Sequence, residues 1–314
     1  MATTACAHPN IALIKYWGKS ARPGNYPAAP SLSITLDALL TTTEVRNCEE
    51  ADRIFFDDVE VPDAKVLACL ADLRDVYAIP YLEVHTSNNF PTAAGLASSA
   101  SGFAALIAAI NAHCDLGLDP HAQSDRARRA SGSAARSVFG GFVALDGPNW
   151  VARQVLEPEA WPLKTVIAVT TSEKKSVASS EGMQLSEATS PYYSAWVTST
   201  ATDFKSALAM VEARDFDALA ALAEFSCLKM HGLMLSTNPG LLYWNPATIA
   251  CLHAIRELRQ QGIPVFFTVD AGPQVKAVCL PEAENDVQST LQSIAGVERV
   301  LTTGLGQGAR IVVP

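Results

Sequence analysis

Residues 101–118, SGFAALIAAINAHCDLGL, are rich in alanine and leucine over the length of a full helix. A helix with so little polar surface has to be buried on most of its sides, which requires packed layers around it. The chain supplies two kinds of segment for those layers. PSLSITLD (30–37) and TTTEVRN (41–47) carry β-branched residues in alternation and read as a pair of strands, and DRIFFDD (52–58) and YLEVHTSN (81–88) continue the strand character. Between them, DAKVLACLADLRDVYA (63–78) places Val66, Leu67, Leu70 and Leu73 at helical spacing. DPHAQSDRARRASGSAARS (119–137) reads as a further helix, with Asp119 as N-cap and Pro120 in its first turn. GGFVALDG and WVARQVLE then form a hairpin joined through Asp146 to Asn149.

Pro158 and Pro162, in EPEAWPLKT, interrupt the pattern on both sides. Beyond them TVIAVTT is a strand, residues 190–235 read as two or more helices, and NPATIACLHAIRELRQQG is a helix ending at Gly262. IPVFFTVDAG, VKAVCLP and GARIVVP are short strands around one last helix near Glu284 to Ile294. Strands and helices thus segregate into two α+β halves, roughly 1–160 and 161–314.

With 23 Lys and Arg against 32 Asp and Glu, the net charge of −9 argues against nucleic acid or an anionic membrane as a partner, because both are held through basic patches. Local cations in a cleft still leave room for an anionic small substrate. Seven cysteines without C-x-x-C spacing suggest neither a disulfide framework nor a zinc site. The six histidines lack metal-ligand spacing, so no protein metal cluster is expected. The N-terminus does not read as a secretory signal, and the longest apolar stretches fall short of the ~20 residues of a membrane span. A cytoplasmic enzyme is the resulting expectation.

Four stretches carry chemistry. NNFPTAAGLASSASG (88–102) is either a phosphate cradle at a helix N-terminus or only the small-residue start of a closely packed helix. It lacks the lysine of a Walker A loop. PNIALIKYWGK places Lys15 and Lys19 about Tyr16 and Trp17, a cationic and aromatic group suited to a phosphorylated molecule, or a solvated strand end. SGSAARSVFGG offers two serines and Arg136, whose paired N–H donors match a carboxylate. FFTVDAGPQVK sets Asp270 between a strand and a Gly-Pro turn, either as a turn former or as a catalytic carboxylate.

Taken together, NIALIKYWGK, PTAAGLASSASG, SGSAARSVFGGFV and TVDAGP, with EKK and SSEGM between Glu173 and Met183, resemble the motifs of the diphosphomevalonate decarboxylase family of the GHMP kinase superfamily, in order, over residues 5 to 280. The resemblance implies a ribosomal-protein-S5-like N-terminal half and a ferredoxin-like C-terminal half with the cleft between them. It also implies that ATP phosphorylates the 3-hydroxyl of mevalonate 5-diphosphate, after which phosphate and carbon dioxide leave to give isopentenyl diphosphate. Asp270 is then the catalytic carboxylate, Arg136 holds the substrate carboxylate, Lys15 stands beside the reacting oxygens and Asn10 orders the region. Tyr16, Lys19, Ser131 and Ser133 contact the substrate's phosphates, and Ser179 lies near the transferred phosphoryl group, with Ser180 one position away in register. Gly95, Ala97, Ser98 and Ser99 cradle the ATP triphosphate, with Ser87 and Lys174 as further contacts, Mg²⁺ arriving with the nucleotide. A homodimer is implied as well.

The chain departs from the family pattern at Ala29 and Pro30, in PAAPSLS, and at Ser180, where some relatives carry an arginine. Those departures keep open a decarboxylase of mevalonate 5-phosphate, and a related kinase that does not decarboxylate stands as a further alternative.

Overall fold

A computed structural model describes residues 2–90, 98–173 and 175–312. Gly95, Ala97 and Lys174 lie outside the described residues. Three sheets organise the molecule. The first has the strand order β14 (Arg310–Ile311), β1 (Thr3–Ala7), β4 (Thr41–Cys48), β7 (Tyr81–Asn88), β5 (Arg53–Phe56) and β6 (Val59–Glu60). The second runs β2 (Asn10–Ile14), β3 (Ser31–Thr35), β8 (Phe142–Asp146), β9 (Val151–Leu156). The third runs β11 (Val265–Val269), β12 (Val275–Cys279), β10 (Lys164–Val169), β13 (Arg299–Thr303).

The alanine-rich segment becomes α2 (Ser98–His113), with every residue from Phe103 to Ile110 buried. Its alanines let the helix lie close on the first sheet, and it shares a core with α1 (Ala64–Tyr77) and α3 (Pro120–Ala130). Asp63 caps α1 by accepting from the Lys65 and Val66 amides, and Asp119 caps α3 from the Ala122 amide, with Pro120 at the position where no N–H is needed. Each such cap is worth about 1 kcal/mol.

On the other side, α6 (Tyr193–Ala213) and α7 (Phe216–Leu235) fill the space between the second and third sheets. Ile11, Leu32, Ile34 and Phe142 from one half meet Ile167, Phe204, Phe216 and Phe266 from the other in a single core. Thr268 Oγ1 donates to the Ala12 carbonyl at 3.1 Å, tying β11 to β2 directly. The far face of the third sheet is closed by α8 (Pro246–Gln260) and α9 (Glu284–Gln292). α5 (Ser179–Thr189) borders a smaller cluster around Trp17, Met183 and Trp196.

Four expectations need correction. β3 and β4 do not pair; they belong to different sheets, because each finds its partner in a distant segment. The helix expected over 119–137 breaks at Ser131–Ser133, so that α3 gives way to the four-residue α4 (Ala134–Ser137). Of GARIVVP only Arg310–Ile311 is strand among the described residues, and it pairs with β1. α7 does have the length and apolar composition of a membrane span; 56% of it is buried inside the protein, while Phe225 and Leu235 are exposed. The strands β1 and β13 were not anticipated from the sequence, and β2 only as a strand end before Lys15 and Lys19. The hairpin β8–β9 and the end of α8 at Gly262, whose φ is +89°, match the reading.

Candidate functional site

A cleft of about 840 Å³ opens where the ends of β2 and β11 meet the loop between α3 and α4 and the start of α5. Asp270 follows β11 immediately, and Lys15 follows β2. Lys15 Nζ donates to Asp270 Oδ1 at 2.6 Å, although 255 residues separate them. A second lysine, Lys276 on β12, stands 3.3 Å from Oδ2. Both lysines are 1% exposed, while Asp270 keeps 26% of its side chain open to the cleft. Burial alone would raise the Asp270 carboxyl, but the Lys15 and Lys276 ammonium groups outweigh it and hold the carboxyl well below the usual carboxylate range. Burial lowers Lys276, and Asp270 partly restores it.

The scaffold behind this pair is α7. Ser226 Oγ accepts from the Lys15 amide at 3.0 Å, so the backbone on both sides of the cleft floor is held by one helix. The Val269 amide donates to Cys227 Sγ at 3.2 Å, and His231 Nε2 donates to the Val269 carbonyl at 3.2 Å.

Arg136, on α4, is 2% exposed. Its Nε donates to Asn10 Oδ1 at 3.2 Å and Ser33 Oγ at 3.1 Å, and its Nη1 to Ser31 Oγ at 2.7 Å. Burial pushes it down to about 10, so it keeps its charge at neutral pH. Among the described residues no carboxylate forms an ion pair with it, and the guanidinium lines the cleft. A buried cation bonded only to neutral groups is a site for an anion. Asn10 lines the cleft too, but its amide is spent: Nδ2 donates to the Ser133 carbonyl at 3.1 Å and to Ser137 Oγ at 2.8 Å while Oδ1 receives Arg136.

Among the described residues the buried Tyr16 hydroxyl has no hydrogen-bond partner, and burial pushes its phenol up to about 12. A Cβ on Gly132 would stand 2.4 Å from that oxygen, which explains why the loop between the two serines needs a glycine. Ser131 and Ser133 flank it on the cleft wall, 3.4 Å apart at their hydroxyls. Lys19 Nζ donates to Asn25 Oδ1 at 2.7 Å and Ser180 Oγ at 3.4 Å. Burial lowers its ammonium, and the neighbouring Lys65 lowers it further. Ser179 Oγ accepts from Lys175 Nζ at 2.6 Å.

The structure therefore brings Asn10, Tyr16, Lys19, Ser131, Ser133, Arg136, Ser179 and Asp270 to one cleft, with Lys15 behind Asp270, and Ser98 and Ser99 reach it from the start of α2. Ser87 is exposed on β7 and is not part of the lining. The sequence reading missed Lys276, Lys175, Ser31 and Ser33. For Lys276 a signal was present: a charge flanked by Val275 and Ala277 in an otherwise apolar strand. Among the described residues no group of three or more His, Cys, Asp or Glu side chains is placed to hold a metal.

Two family models span most of this arrangement. Residues 7–149 match the Diphosphomevalonate decarboxylase-like N-terminal domain, and residues 165–311 match the Mevalonate 5-diphosphate decarboxylase C-terminal domain. The chain belongs to the diphosphomevalonate decarboxylase family. A diphosphomevalonate decarboxylase of Candida albicans is 33% identical, over 95% of this chain and 94% of its own length. Two solved structures of this kind of enzyme superpose along the whole chain. One is described as MDDEF in complex with MVAPP, AMPPCP and magnesium, with a TM-score of 0.91, 33% identity and coverage of 100% of this chain and 99% of that one. The other is the mevalonate diphosphate decarboxylase of Enterococcus faecalis, described by its mevalonate diphosphate mediated ATP binding, with a TM-score of 0.90, 32% identity and the same coverage. The mixed α+β architecture is thus the GHMP kinase-type fold of the diphosphomevalonate decarboxylases.

Proposed function

We propose that this protein is an ATP-dependent decarboxylase of mevalonate 5-diphosphate, forming isopentenyl diphosphate by transient 3-phosphorylation. The observation that carries the reading is the cleft floor, where a lysine-held carboxylate and a buried guanidinium without a carboxylate partner face the same space. A simple phosphotransferase needs no such guanidinium. Decarboxylation does, because the substrate's own carboxylate must be held while the bond to it breaks.

In this reading the Arg136 guanidinium pairs with the substrate carboxylate, and Asn10, Ser31 and Ser33 fix its plane. Asp270, ionised across the working pH range, orients the tertiary hydroxyl and then faces the positive charge that builds as phosphate departs. Lys15 offsets the negative charge on the reacting oxygens. Tyr16, Lys19, Ser131 and Ser133 hold the 5-phosphates. The N-terminus of α2, with Ser98 and Ser99, and the Lys175 ammonium beside Ser179 fit the triphosphate of ATP. Gly95, Ala97, Lys174 and Ser87 stay assigned to that triphosphate by resemblance alone. ATP would supply the phosphoryl group, and Mg²⁺ arriving with it would neutralise charge on the transferring phosphates; among the described residues no acidic cluster is placed to hold the ion alone. The homodimer and the cytoplasmic location belong to the proposal on the family resemblance.

Incubating the protein with ATP, Mg²⁺ and either mevalonate 5-diphosphate or mevalonate 5-phosphate, while measuring ADP and carbon dioxide, tests the assignment. Equal amounts of both products with the 5-diphosphate are expected. ADP without carbon dioxide would sink decarboxylation, and turnover confined to the 5-phosphate would reassign the substrate.

A further inference from the structure

Lys19 reaches the cleft from a loop whose geometry is set elsewhere. Over residues 18–28 the chain doubles back: the Ala28 amide donates to the Gly18 carbonyl at 3.2 Å and the Ser20 amide to the Tyr26 carbonyl at 2.8 Å. Gly24 and Asn25 at the tip have φ of +100° and +55°. The tip is fastened to α3. Arg128, 0% exposed and paired with Asp125 at 2.5 Å, donates to the Gly24 carbonyl and lies 3.8 Å from the centre of the Tyr26 ring, with Arg22 at 4.2 Å from the same ring.

Asn25 joins the two. Its Oδ1 accepts from Lys19 Nζ at 2.7 Å, and its Nδ2 donates to the Arg129 carbonyl at 2.6 Å. Ser131 and Ser133 follow two and four residues beyond Arg129, so one amide sets the distance between the ammonium and the serine hydroxyls across the same cleft wall. An amide does this without cost to the charge. A carboxylate in its place would hold the lysine as firmly but cancel it, whereas a neutral acceptor leaves the full positive charge for an incoming anion. Among the described residues no carboxylate forms an ion pair with Lys19.

We propose that Asn25 is a positioning residue: it fixes the Lys19 ammonium against the Ser131–Ser133 loop as a preset clamp for the phosphate end of the substrate. The inference rests on the reading that Lys19 contacts the substrate's phosphates. It extends that reading to a residue that shapes affinity through another.

The test is calorimetric affinity for mevalonate 5-diphosphate without ATP, which needs no turnover, together with KM values for wild type, Lys19→Met, Asn25→Gly, Asn25→Asp and the Lys19→Met/Asn25→Gly double variant. Glycine suits the left-handed backbone at position 25, and thermal melting checks that each variant is folded. Lys19→Met is expected to weaken binding about tenfold or more, and Asn25→Gly about three- to tenfold, with the loss in substrate KM rather than kcat and the KM for ATP unmoved. Asn25→Asp should bind at least as poorly as Lys19→Met, and the double variant no worse than Lys19→Met alone. Asn25→Gly binding within twofold of wild type, or a double variant as weak as the product of the two single losses, overturns the clamp. So does an unaffected Lys19→Met. Failure of the decarboxylase reading would appear separately, as wild-type binding without release of carbon dioxide.

Discussion

At the scale of single residues, the cleft floor holds one carboxylate between two almost wholly buried lysines. Asp270→Asn removes the only anion of that group and should lower turnover by orders of magnitude while calorimetric ATP affinity stays near wild type; a variant with near-normal turnover would take Asp270 out of the mechanism. Lys276 is the second cation on Asp270. Lys276→Met leaves the buried Asp270 carboxylate with Lys15 as its remaining cation, so stability in urea should fall by about 1–3 kcal/mol while kcat falls at least tenfold in protein that is still folded. Retained activity would mean that the second lysine serves packing alone. His231 makes a pH prediction. Burial lowers its imidazole to about 3, so between its ordinary value of 6.5 and that value the unfolded chain binds a proton that the fold excludes. Stability should therefore fall as pH drops through this window, by up to ~1.4 kcal/mol per unit from this residue. Urea melts from pH 7 to 5 should show a shallower fall for His231→Gln than for wild type, whatever the absolute offset between them.

At the scale of elements, the three-residue break between α3 and α4 matters more than either helix. Gly132→Ala would drive a Cβ into the Tyr16 hydroxyl, so the ring must move. We expect a folded protein by circular dichroism whose substrate KM rises at least tenfold. The break also marks where local reading stops. Asp119 and Pro120 announce the start of α3 from four residues, and the hairpin β8–β9 pairs across a short turn, so both were legible. Ser131-Gly132-Ser133 is not incompatible with a helix; the ring packed against Gly132 comes from Tyr16, over 110 residues earlier, which local spacing does not report. β3 and β4 illustrate the same limit, since alternation defines a strand's faces but not its partner. In the site, Lys15, Arg136 and Asp270 stood out through motifs, whereas Lys276 showed only as a charge within an apolar strand and Lys175 carried no signal until the fold placed both on Asp270's side of the cleft.

At the scale of the whole molecule, the prolines near residue 160 separate two stretches of sequence, yet the largest core draws on both. Phe142 stacks on Trp161 with ring centres 5.3 Å apart, and Phe266 packs against Phe216 in the same cluster. Each fully buried large apolar side chain contributes about 1.5–3 kcal/mol, so a fragment ending at residue 160 would leave a deficit far beyond ordinary domain stability. Such a fragment should show collapsed amide dispersion by NMR; a well-dispersed spectrum would establish it as an autonomous unit. The pairing of β14 with β1 carries this dependence into the cell. A ribosome adding about 5–20 residues per second needs roughly 15–60 s to pass from the first strand to its final neighbour. Throughout that interval the nascent edge at Thr3–Ala7 has unmet amides on one side, an opening for chaperones or for mispairing that closes only once Arg310–Ile311 has been made.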